Sequence, residues 1–392
     1  MFMTNNRLLA TFVTSVLLTF TIAGPAIGLT TSGPIVINGQ NGTVISGLII
    51  TSTGDCVQII NSTNITIKDS QIGPCGTAGN TSNGHGVSIS GGSGINILDN
   101  YIHVENLASG CCDSHDGILT TNTSGVTIQG NVIAYGETNI EAQSGSSDIT
   151  VNGNFLLNPR GPFPRGEQFQ ASLAKNIVVI NNYTLSSLTG YKYPANQSDA
   201  INFWVTNTFY VENNYIVGGF SAFGCGVEVD DRSNFGKIVS NTLSNTGQCG
   251  ISVADGVGHV IDSNKVLNLT PVAGGGNTAI SVWKQDSSNP LGCGGTAPPY
   301  QITVSNNIAD EVQTNGYNSG WWYGGGCGTV NLVNNVFYQP AYTVLYPMTS
   351  KYPSPAIPPQ PSSCVAVSPY STQTSLPQCP TCFLSAQCEE IK

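Results

Sequence analysis

The chain has 392 residues and an acidic balance, with 12 Lys and Arg against 22 Asp and Glu, for a formal net charge of −10. It carries no basic patch, no Walker loop, no dinucleotide fingerprint after a strand and no Gly-x-Ser-x-Gly elbow, so nucleic-acid binding, nucleotide chemistry and serine-hydrolase chemistry lack support. Only 9% of residues are charged and 46 are Gly, a composition that favours strands and tight turns over helical domains.

The first 28 residues are predicted to be a secretory signal. Residues 1–7 form a weakly positive head, 8–22 an uncharged apolar run, and 23–28 a small-residue stretch that ends near a cleavage site at Gly28. A retained membrane anchor is the alternative, although the apolar run is short for a spanning helix. We therefore expect a secreted or cell-surface protein with no membrane contact after cleavage.

One Asn followed by apolar residues recurs along most of the chain, and a second motif precedes it. In seven successive units, the head of an alternating pentapeptide lies 15 or 16 residues before the Asn, as in Asp116-Gly-Ile-Leu-Thr or Asp199-Ala-Ile-Asn-Phe. Asp55 extends the series upstream, with Ser70 in the place of the Asn. The Asn residues are Asn100, Asn131, Asn154, Asn182, Asn214, Asn241, Asn264, Asn307 and Asn335.

These repeats predict a parallel β-helix of about 10–11 coils over residues 29–346. The pentapeptides alternate with period 2, which is typical of strands with one buried face. Loops of variable length explain why the repeat interval is irregular. Stacked coils would place the Asn side chains in an internal ladder, where each amide bonds the backbone and the next Asn.

Twelve cysteines in an exported chain indicate disulfides. Cys225 and Cys249 head successive coils, where Cα atoms lie about 5 Å apart, so they are expected to bridge. The Pro/Ser/Thr-rich segment 347–392 is predicted to be a C-terminal cap with two disulfides. Its cysteines are Cys364, Cys379, Cys382 and Cys388, and zinc binding at the Cys379-Pro-Thr-Cys382 pair is the weaker alternative.

The outer face of the middle coils is predicted to carry a concentrated polar surface flanked by aromatic rings. Its polar members are Glu141, Glu167, Gln170, Asp199, Asn202, Glu228 and Asp230. Trp204 and Trp283, with Lys284 beside the latter, would bind sugar rings at its edges.

Two pairs of carboxylates on this surface fit glycosidase chemistry. Glu167 and Asp199 head adjacent coils, so their carboxyls are expected about 5 Å apart, a spacing that suits acid/base or retaining chemistry. Glu228 and Asp230 lie two residues apart on one strand, about 6.6 Å, nearer to the inverting separation. The alternatives are that these acids cap turns or bind a structural Ca²⁺.

The loop that precedes Glu167 brings two arginines to the same region. Arg160 and Arg165 would bind a substrate carboxylate or hydroxyl pair, or would pair with neighbouring acids. The acidic net charge disfavours a polyanionic substrate unless Ca²⁺ intervenes. No cofactor is required for this chemistry, and no other metal site is predicted.

The repeats and the Asp116-Gly-Ile strand openings resemble the pectin-lyase-like right-handed parallel β-helix superfamily over about residues 35–346. This resemblance implies an all-β, right-handed solenoid, in a superfamily that includes polysaccharide lyases, glycoside hydrolases, epimerases and non-catalytic surface proteins. The segment 161–166, Gly-Pro-Phe-Pro-Arg-Gly, is similar to a loop in a subgroup of secreted bacterial β-helix proteins. This similarity does not indicate a particular reaction.

Two further local matches are narrower. Gly84-His85-Gly86, preceded by Asp55-Cys56, is similar to polygalacturonase motifs, but Gly54 stands where those enzymes have a second Asp. The segment 113–116, Asp-Ser-His-Asp, resembles the alginate C5-epimerase signature, which would make His115 and Asp116 catalytic. A stack of Asp55, His85 and Asp116 would form a relay, or would simply cap the sheet end.

The sequence thus predicts a secreted carbohydrate-active protein that cleaves a polysaccharide by carboxylate acid/base chemistry on the middle coils, with glycoside hydrolysis favoured. The alternatives are a lyase or epimerase that acts on uronates, and a non-catalytic envelope, adhesive or glycan-binding protein. The expected partner is a polysaccharide. The identity of the glycan and the oligomeric state stay open.

Overall fold

The computed structural model describes residues 28–77, 84–104, 115–161, 165–186, 197–219, 221–272, 277–285 and 288–338. The predicted signal, apart from Gly28, and the predicted cap at 347–392 lie outside the described residues, as does Asp113. Every regular element in these ranges is a β-strand, 33 in number. Among them is no helix long and apolar enough to cross a membrane.

The strands form three columns of parallel neighbours, which we name the first, second and third faces. The first face comprises β2 (Ile35–Asn38), β5 (Val57–Thr63), β8 (Val87–Leu98), β10 (Ile118–Thr121), β13 (Ile140–Gln143), β16 (Phe169–Ser172), β19 (Ile201–Trp204), β22 (Ser221–Asp230), β25 (Gly247–Val253), β28 (Thr278–Trp283) and β31 (Trp321–Gly325).

The second face shares the long strand β8 with the first. Its other strands are β3 (Val44–Ser46), β6 (Thr66–Lys68), β11 (Ser124–Gln129), β14 (Ser147–Asn152), β17 (Lys175–Ile180), β20 (Asn207–Glu212), β23 (Asn234–Val239), β26 (Val260–Asp262), β29 (Ile302–Ser305) and β32 (Val330–Val333).

The third face is a sheet of 12 strands in chain order. They are β1 (Thr30–Ser32), β4 (Leu48–Ser52), β7 (Gln71–Cys75), β9 (Tyr101–His103), β12 (Val132–Ala134), β15 (Phe155–Leu157), β18 (Tyr183–Ser186), β21 (Tyr215–Gly218), β24 (Thr242–Ser244), β27 (Lys265–Asn268), β30 (Ile308–Glu311) and β33 (Val336–Phe337).

Each coil runs through the first, second and third faces in turn, and the register is constant from coil to coil. Along the first face, for example, Gln170 pairs with Asn202, and Asn202 pairs with Glu228. From β2 to β33 the described strands make eleven such coils. The predicted all-β parallel β-helix of 10–11 coils is therefore confirmed.

The bend between the second and third faces explains the recurring x-Asn motif. The residue before each ladder Asn has a positive φ, as in Asn181 at 58° and Asn213 at 55°. Asn, Asp, Gly and Ser occupy this position along the chain, and Asn, Asp and Gly are the residues that adopt this conformation most readily. The left-handed residue turns the chain, so the following Asn side chain points into the coil.

The Asn side chains form the predicted internal ladder. Nδ2 of Asn182 donates to Oδ1 of Asn214 at 2.9 Å and to the Val151 carbonyl at 2.9 Å, and the Asn182 backbone N donates to the same Oδ1 at 2.9 Å. Asn182 is fully buried. Each ladder amide thus forms hydrogen bonds with backbone groups at the bend, and the strand pairing does not supply partners for those groups.

Inward side chains fill the interior with stacked Ile, Val and aromatic residues. Phe203 stacks on Phe209 at 4.0 Å between ring centroids and lies 6.0 Å from Phe169 in the neighbouring coil. Disulfides add covalent cross-links to the fold. Cys225 and Cys249 are joined with Cα atoms 4.5 Å apart, and the other described pairs are Cys56–Cys75 and Cys293–Cys327.

Candidate active site

A groove of about 720 Å³ runs along the first face across the middle and later coils. Its lining side chains come from seven adjacent strands, β13 to β31. Six strand spacings of about 4.8 Å give the groove a length of about 29 Å. This dimension suits an extended polymer better than a compact small molecule.

The groove collects most of the side chains that the sequence singled out. The constant register places outward residues of successive strands in rows, so residues far apart in sequence become neighbours. The predicted residues that line it are Glu141, Arg165, Glu167, Gln170, Asp199, Asn202, Trp204, Glu228, Asp230 and Trp283.

The carboxyls of the groove are more buried than a displayed polar face would be. Glu167 is 1% exposed, Asp199 7% and Glu228 8%. The sequence predicts that these side chains lie on the outer face of the coils. They do point into the groove on that face, but they are not exposed to solvent. Neighbouring coils and the side chains that flank the groove cover them, which a single strand pattern does not reveal.

Asn202 links two of the acids across adjacent coils. Its Nδ2 donates to Oδ2 of Asp199 at 3.0 Å and to Oδ2 of Asp230 at 3.1 Å. The other oxygen of Asp199 accepts a hydrogen bond from the Cys225 backbone N at 2.7 Å. Asp199 is therefore held in place by two donors, and Asn202 fixes its position relative to Asp230.

Burial raises the pKa values of the two carboxyls that the sequence paired. The pKa of Glu167 rises to about 8, because burial and the nearby Asp199 carboxyl outweigh a 2.7 Å hydrogen bond from Thr138 Oγ1. Burial and repulsion from Asp230 raise the pKa of Asp199 to about 7, against the hydrogen bonds from Cys225 and Asn202. Glu167 thus keeps its proton at a pH where Asp199 begins to lose its own.

Glu228 occupies the next coil and is connected to an aromatic wall. Ser252 donates from its hydroxyl to Oε1 of Glu228 at 3.1 Å, and Trp283 donates from Nε1 to the same Ser252 oxygen at 3.3 Å. Burial and the charges of Asp230 and Asp199 raise the pKa of Glu228 well above its usual range. Burial also raises the pKa of Asp230.

Arg165 lies at the opposite end of the groove. Its Nη1 contacts Gln170 Oε1 at 2.5 Å and Glu141 Oε1 at 3.5 Å. Burial and the Asp116 charge raise the pKa of Glu141 to about 7, although Arg165 opposes the shift. The first coils of the groove therefore contain a guanidinium, while the lining residues from Asp199 onward that the structure describes include acids and no cation.

Four aromatic side chains flank the acids. Trp204 is 36% exposed and donates from Nε1 to Asp231 Oδ2 at 3.4 Å, and Trp283 is half-buried. Phe223 and Trp322, 59% and 49% exposed, also line the groove and were not predicted from the sequence. Exposed rings beside polar groups are a common arrangement for stacking on sugars.

Four predicted site residues do not line the groove. His115 is fully buried, and a Cβ at Gly84 would lie 2.2 Å from its ring, so the glycine makes room for the imidazole. Arg160 is also fully buried, and its backbone N donates to the Gly136 carbonyl at 2.6 Å. Asp116 lies three coils before Asp199 on the first face, and Lys284 follows Trp283 but is not among the lining residues.

The His85 and Asp116 pair is buried outside the groove. His85 Nδ1 lies 3.1 Å from the Asp116 backbone N and 3.3 Å from Asp116 Oδ2. The first contact needs an unprotonated Nδ1 and the second a protonated one, so they belong to different states of the ring. Asp55 Oδ1 accepts from the His85 backbone N at 2.9 Å, which makes this stack a hydrogen-bonded cap of the strand heads.

Few potential metal ligands of the described residues lie close together. Among the described residues, the single trio whose ligand atoms lie within 4.8 Å of one another is Cys225, Glu228 and Cys249. Both sulfurs of that trio are in a disulfide and do not serve as thiolate ligands. Ca²⁺ binding by the acids stays an expectation of the sequence.

Fold and groove together define a right-handed parallel β-helix with an acid-lined cleft on one face. The family model described as "Right handed beta helix region" matches residues 33–162. No curated protein matches the sequence significantly.

Solved structures share the architecture at low identity. DFA-IIIase from Arthrobacter chlorophenolicus A6 in complex with GF2 is 12% identical, with a TM-score of 0.51 over 76% of this chain and 83% of that chain. The periplasmic alginate epimerase AlgG is 13% identical, with a TM-score of 0.48 over 77% and 76%. PfbA, a surface adhesin of Streptococcus pneumoniae, is 12% identical, with a TM-score of 0.46 over 75% and 68%. At these identities the likeness shows the fold alone.

Proposed function

We propose that this protein is a glycoside hydrolase that binds a polysaccharide along the groove of the first face. The observation that carries the proposal is a row of carboxyls with raised pKa values in a groove that also contains aromatic rings. Glu167, Asp199 and Glu228 are buried, and Asp230 is half-buried. Perturbed acids in a cleft are a common property of catalytic sites.

Glu167 and Asp199 are assigned the acid and base roles. With a pKa near 8, Glu167 is protonated at neutral pH and can donate a proton to the leaving glycosidic oxygen. Asp199, with a pKa near 7 and two donors on its oxygens, is the first of the two to ionise and serves as base or nucleophile. Asp230 and Glu228 tune Asp199 by charge.

The rest of the groove supplies binding. Trp204, Phe223, Trp283 and Trp322 offer ring surfaces on both sides of the acids. Gln170 and Arg165, which contact each other, can bond sugar hydroxyls at the far end. The groove is open and about 29 Å long, so it can accept a chain from the side and cleave internally.

The charge pattern opposes the lyase and epimerase alternatives. A uronate polymer brings one carboxylate per residue, and a lyase needs cations to neutralise it. The described lining contains five carboxyls and a single guanidinium, Arg165. Such a site offers a polyuronate one cation to neutralise its many carboxylates.

Three disulfides in the described chain support export, since disulfides persist mainly in oxidising compartments. We therefore place the activity outside the cytoplasm, at the cell surface or in the medium.

A glycan panel tests the function. Reducing-sugar release with no rise in absorbance in the unsaturated-uronate band is expected, and it should disappear in Glu167→Gln. A rise in that band identifies a lyase. If no glycan in the panel is altered while several bind, the protein is a binding or adhesive protein and the proposal is wrong.

A further inference from the structure

The part of the groove around Glu228 has no cation among the described lining residues. Glu228 is 8% exposed, and the partly exposed Asp230 lines the same part of the groove. Arg165, the guanidinium of the lining, contacts Gln170 two coils and Glu141 three coils before Glu228.

A second observation is independent of the acids. Asn202 is 4% exposed, both carboxylates beside it are bonded to its Nδ2, and its Oδ1 has no hydrogen-bond partner among the described residues. The two Nδ2 bonds fix the orientation of the amide, since a flipped amide would turn its oxygen toward two carboxylates. A buried acceptor that lines a groove and lacks a donor indicates a ligand with N–H or O–H groups.

From these acceptors we propose that the substrate is a glycan that carries ammonium groups, with Asn202, Glu228 and Asp230 receiving one of them. An ammonium has three donors and no acceptor, which complements one amide oxygen and two carboxylates. This proposal specifies the substrate class of the proposed hydrolytic site. The requirement that the ligand is a glycan rests on the proposed function, whereas the requirement that it carries a positive charge does not.

The surroundings favour a cation over a neutral hydroxyl. Burial and mutual repulsion disfavour ionisation of Glu228 and Asp199 in the free protein, so a positive ligand would offset that repulsion. Trp283 donates from Nε1 to Ser252, and Ser252 donates to Glu228, so the indole is one side chain away from this acid. A ring face stabilises an ammonium by a cation–π contact.

Calorimetric titration with three β-1,4-linked hexasaccharides tests the proposal. Their residues are glucosamine, N-acetylglucosamine or glucose, so the linkage and length are constant and the C2 substituent changes. We expect the glucosamine hexamer to bind at least about tenfold more tightly than the other two. A lysine hexapeptide, which carries ammonium groups without sugar rings, should bind more weakly than the glucosamine hexamer.

A matched pair of variants separates local recognition from net charge. Asp230→Asn should reduce the preference for the glucosamine hexamer to about threefold or less while neutral binding persists. Asp262→Asn removes the same charge on the second face, where Asp262 accepts from Asn306, and should keep the full preference.

Equal affinity for the three hexamers, no binding of the glucosamine hexamer, or an equal loss in both variants would overturn the proposal. Cleavage of a neutral glycan with no preference for the amine would leave the hydrolase function intact and remove this inference alone. Binding of the glucosamine hexamer without cleavage of any glycan would remove the hydrolase function and leave the cation site.

Discussion

The hydroxyl of Ser252 donates a 3.1 Å hydrogen bond to Oε1 of Glu228 in the preceding coil. The hydroxyl oxygen of Ser252 also accepts a hydrogen bond from Trp283 Nε1, so Ser252 positions both an acid and an aromatic ring of the groove. The bond lowers the pKa of Glu228, against the larger effect of burial.

Ser252→Ala is therefore expected to raise the pKa of Glu228 further and to lower kcat/KM about fivefold, the usual effect of one lost hydrogen bond. The pH profile of kcat/KM should move upward relative to the wild type. Ser281→Ala, at the same register position one coil further, is the control. A purely structural role for Ser252 would lower the melting temperature without any displacement of the pH profile.

Glu167→Gln and Asp199→Asn should each lower activity at least about a hundredfold, because an amide keeps the shape but neither donates nor accepts the catalytic proton. The rate of glycan cleavage measures this. Asp262→Asn, on the second face, should retain activity. Active carboxylate variants together with an inactive His85→Ala would place the site toward the N-terminus, at the buried stack of Asp55, His85 and Asp116.

Trp204→Ala should weaken glycan binding about tenfold, with a smaller effect on turnover, because a stacking surface contributes to substrate and transition state alike. Initial rates over a range of substrate concentrations separate KM from kcat. Tyr210→Ala, an outward aromatic on the second face, is the matched control and should leave both parameters unchanged. A lower kcat with an unchanged KM would show that the indole acts on the chemical step instead.

Stability should fall as pH rises through the range in which Glu167 loses its proton. Its pKa is raised from an ordinary 4.5 to about 8, so between these values the folded state binds more protons than the unfolded state. Glu167→Gln does not titrate and should melt at a higher temperature than the wild type above pH 8, and the difference in stability should be about 5 kcal/mol at most. At pH 4, below both pKa values, the two proteins should melt together. A lower melting temperature for the variant above pH 8 would show that ionised Glu167 stabilises the fold.

Asn214→Leu should lower the stability by about 1–3 kcal/mol, because Asn182 and Asn241 lose buried partners. The Asn182 backbone N also loses its acceptor. Thermal unfolding measures the effect, and Asn331→Leu, exposed on β32, is the control. An unchanged melting temperature for Asn214→Leu would mean that the ladder contributes little.

The fold was predictable because two signals repeat once per coil. The left-handed residue before each Asn and the alternating strand head mark the same two points of every turn, so register follows by counting. The groove followed from register as well, since Glu167, Asp199 and Glu228 belong to rows on one face. Neither signal depends on long-range packing.

What the sequence did not reveal depends on such packing or on irregular strands. Phe223 lies in β22, where the register shifts between Ser221 and Cys225. The coil that carries Trp322 pairs with β28 across another register shift. The burial of His115 requires the space left by Gly84 in a different coil, and no local pattern reports that contact.

The coil-by-coil register also allows the length of the groove to change independently of the acid cluster. Because each strand of the first face contacts only the strands before and after it, loss or gain of one whole coil outside the acid cluster would alter the groove by about 4.8 Å and leave the cluster intact. Relatives with different numbers of coils could therefore accept chains of different length while sharing one reaction. Insertion of a single residue within a strand would instead reverse the side chains that follow it.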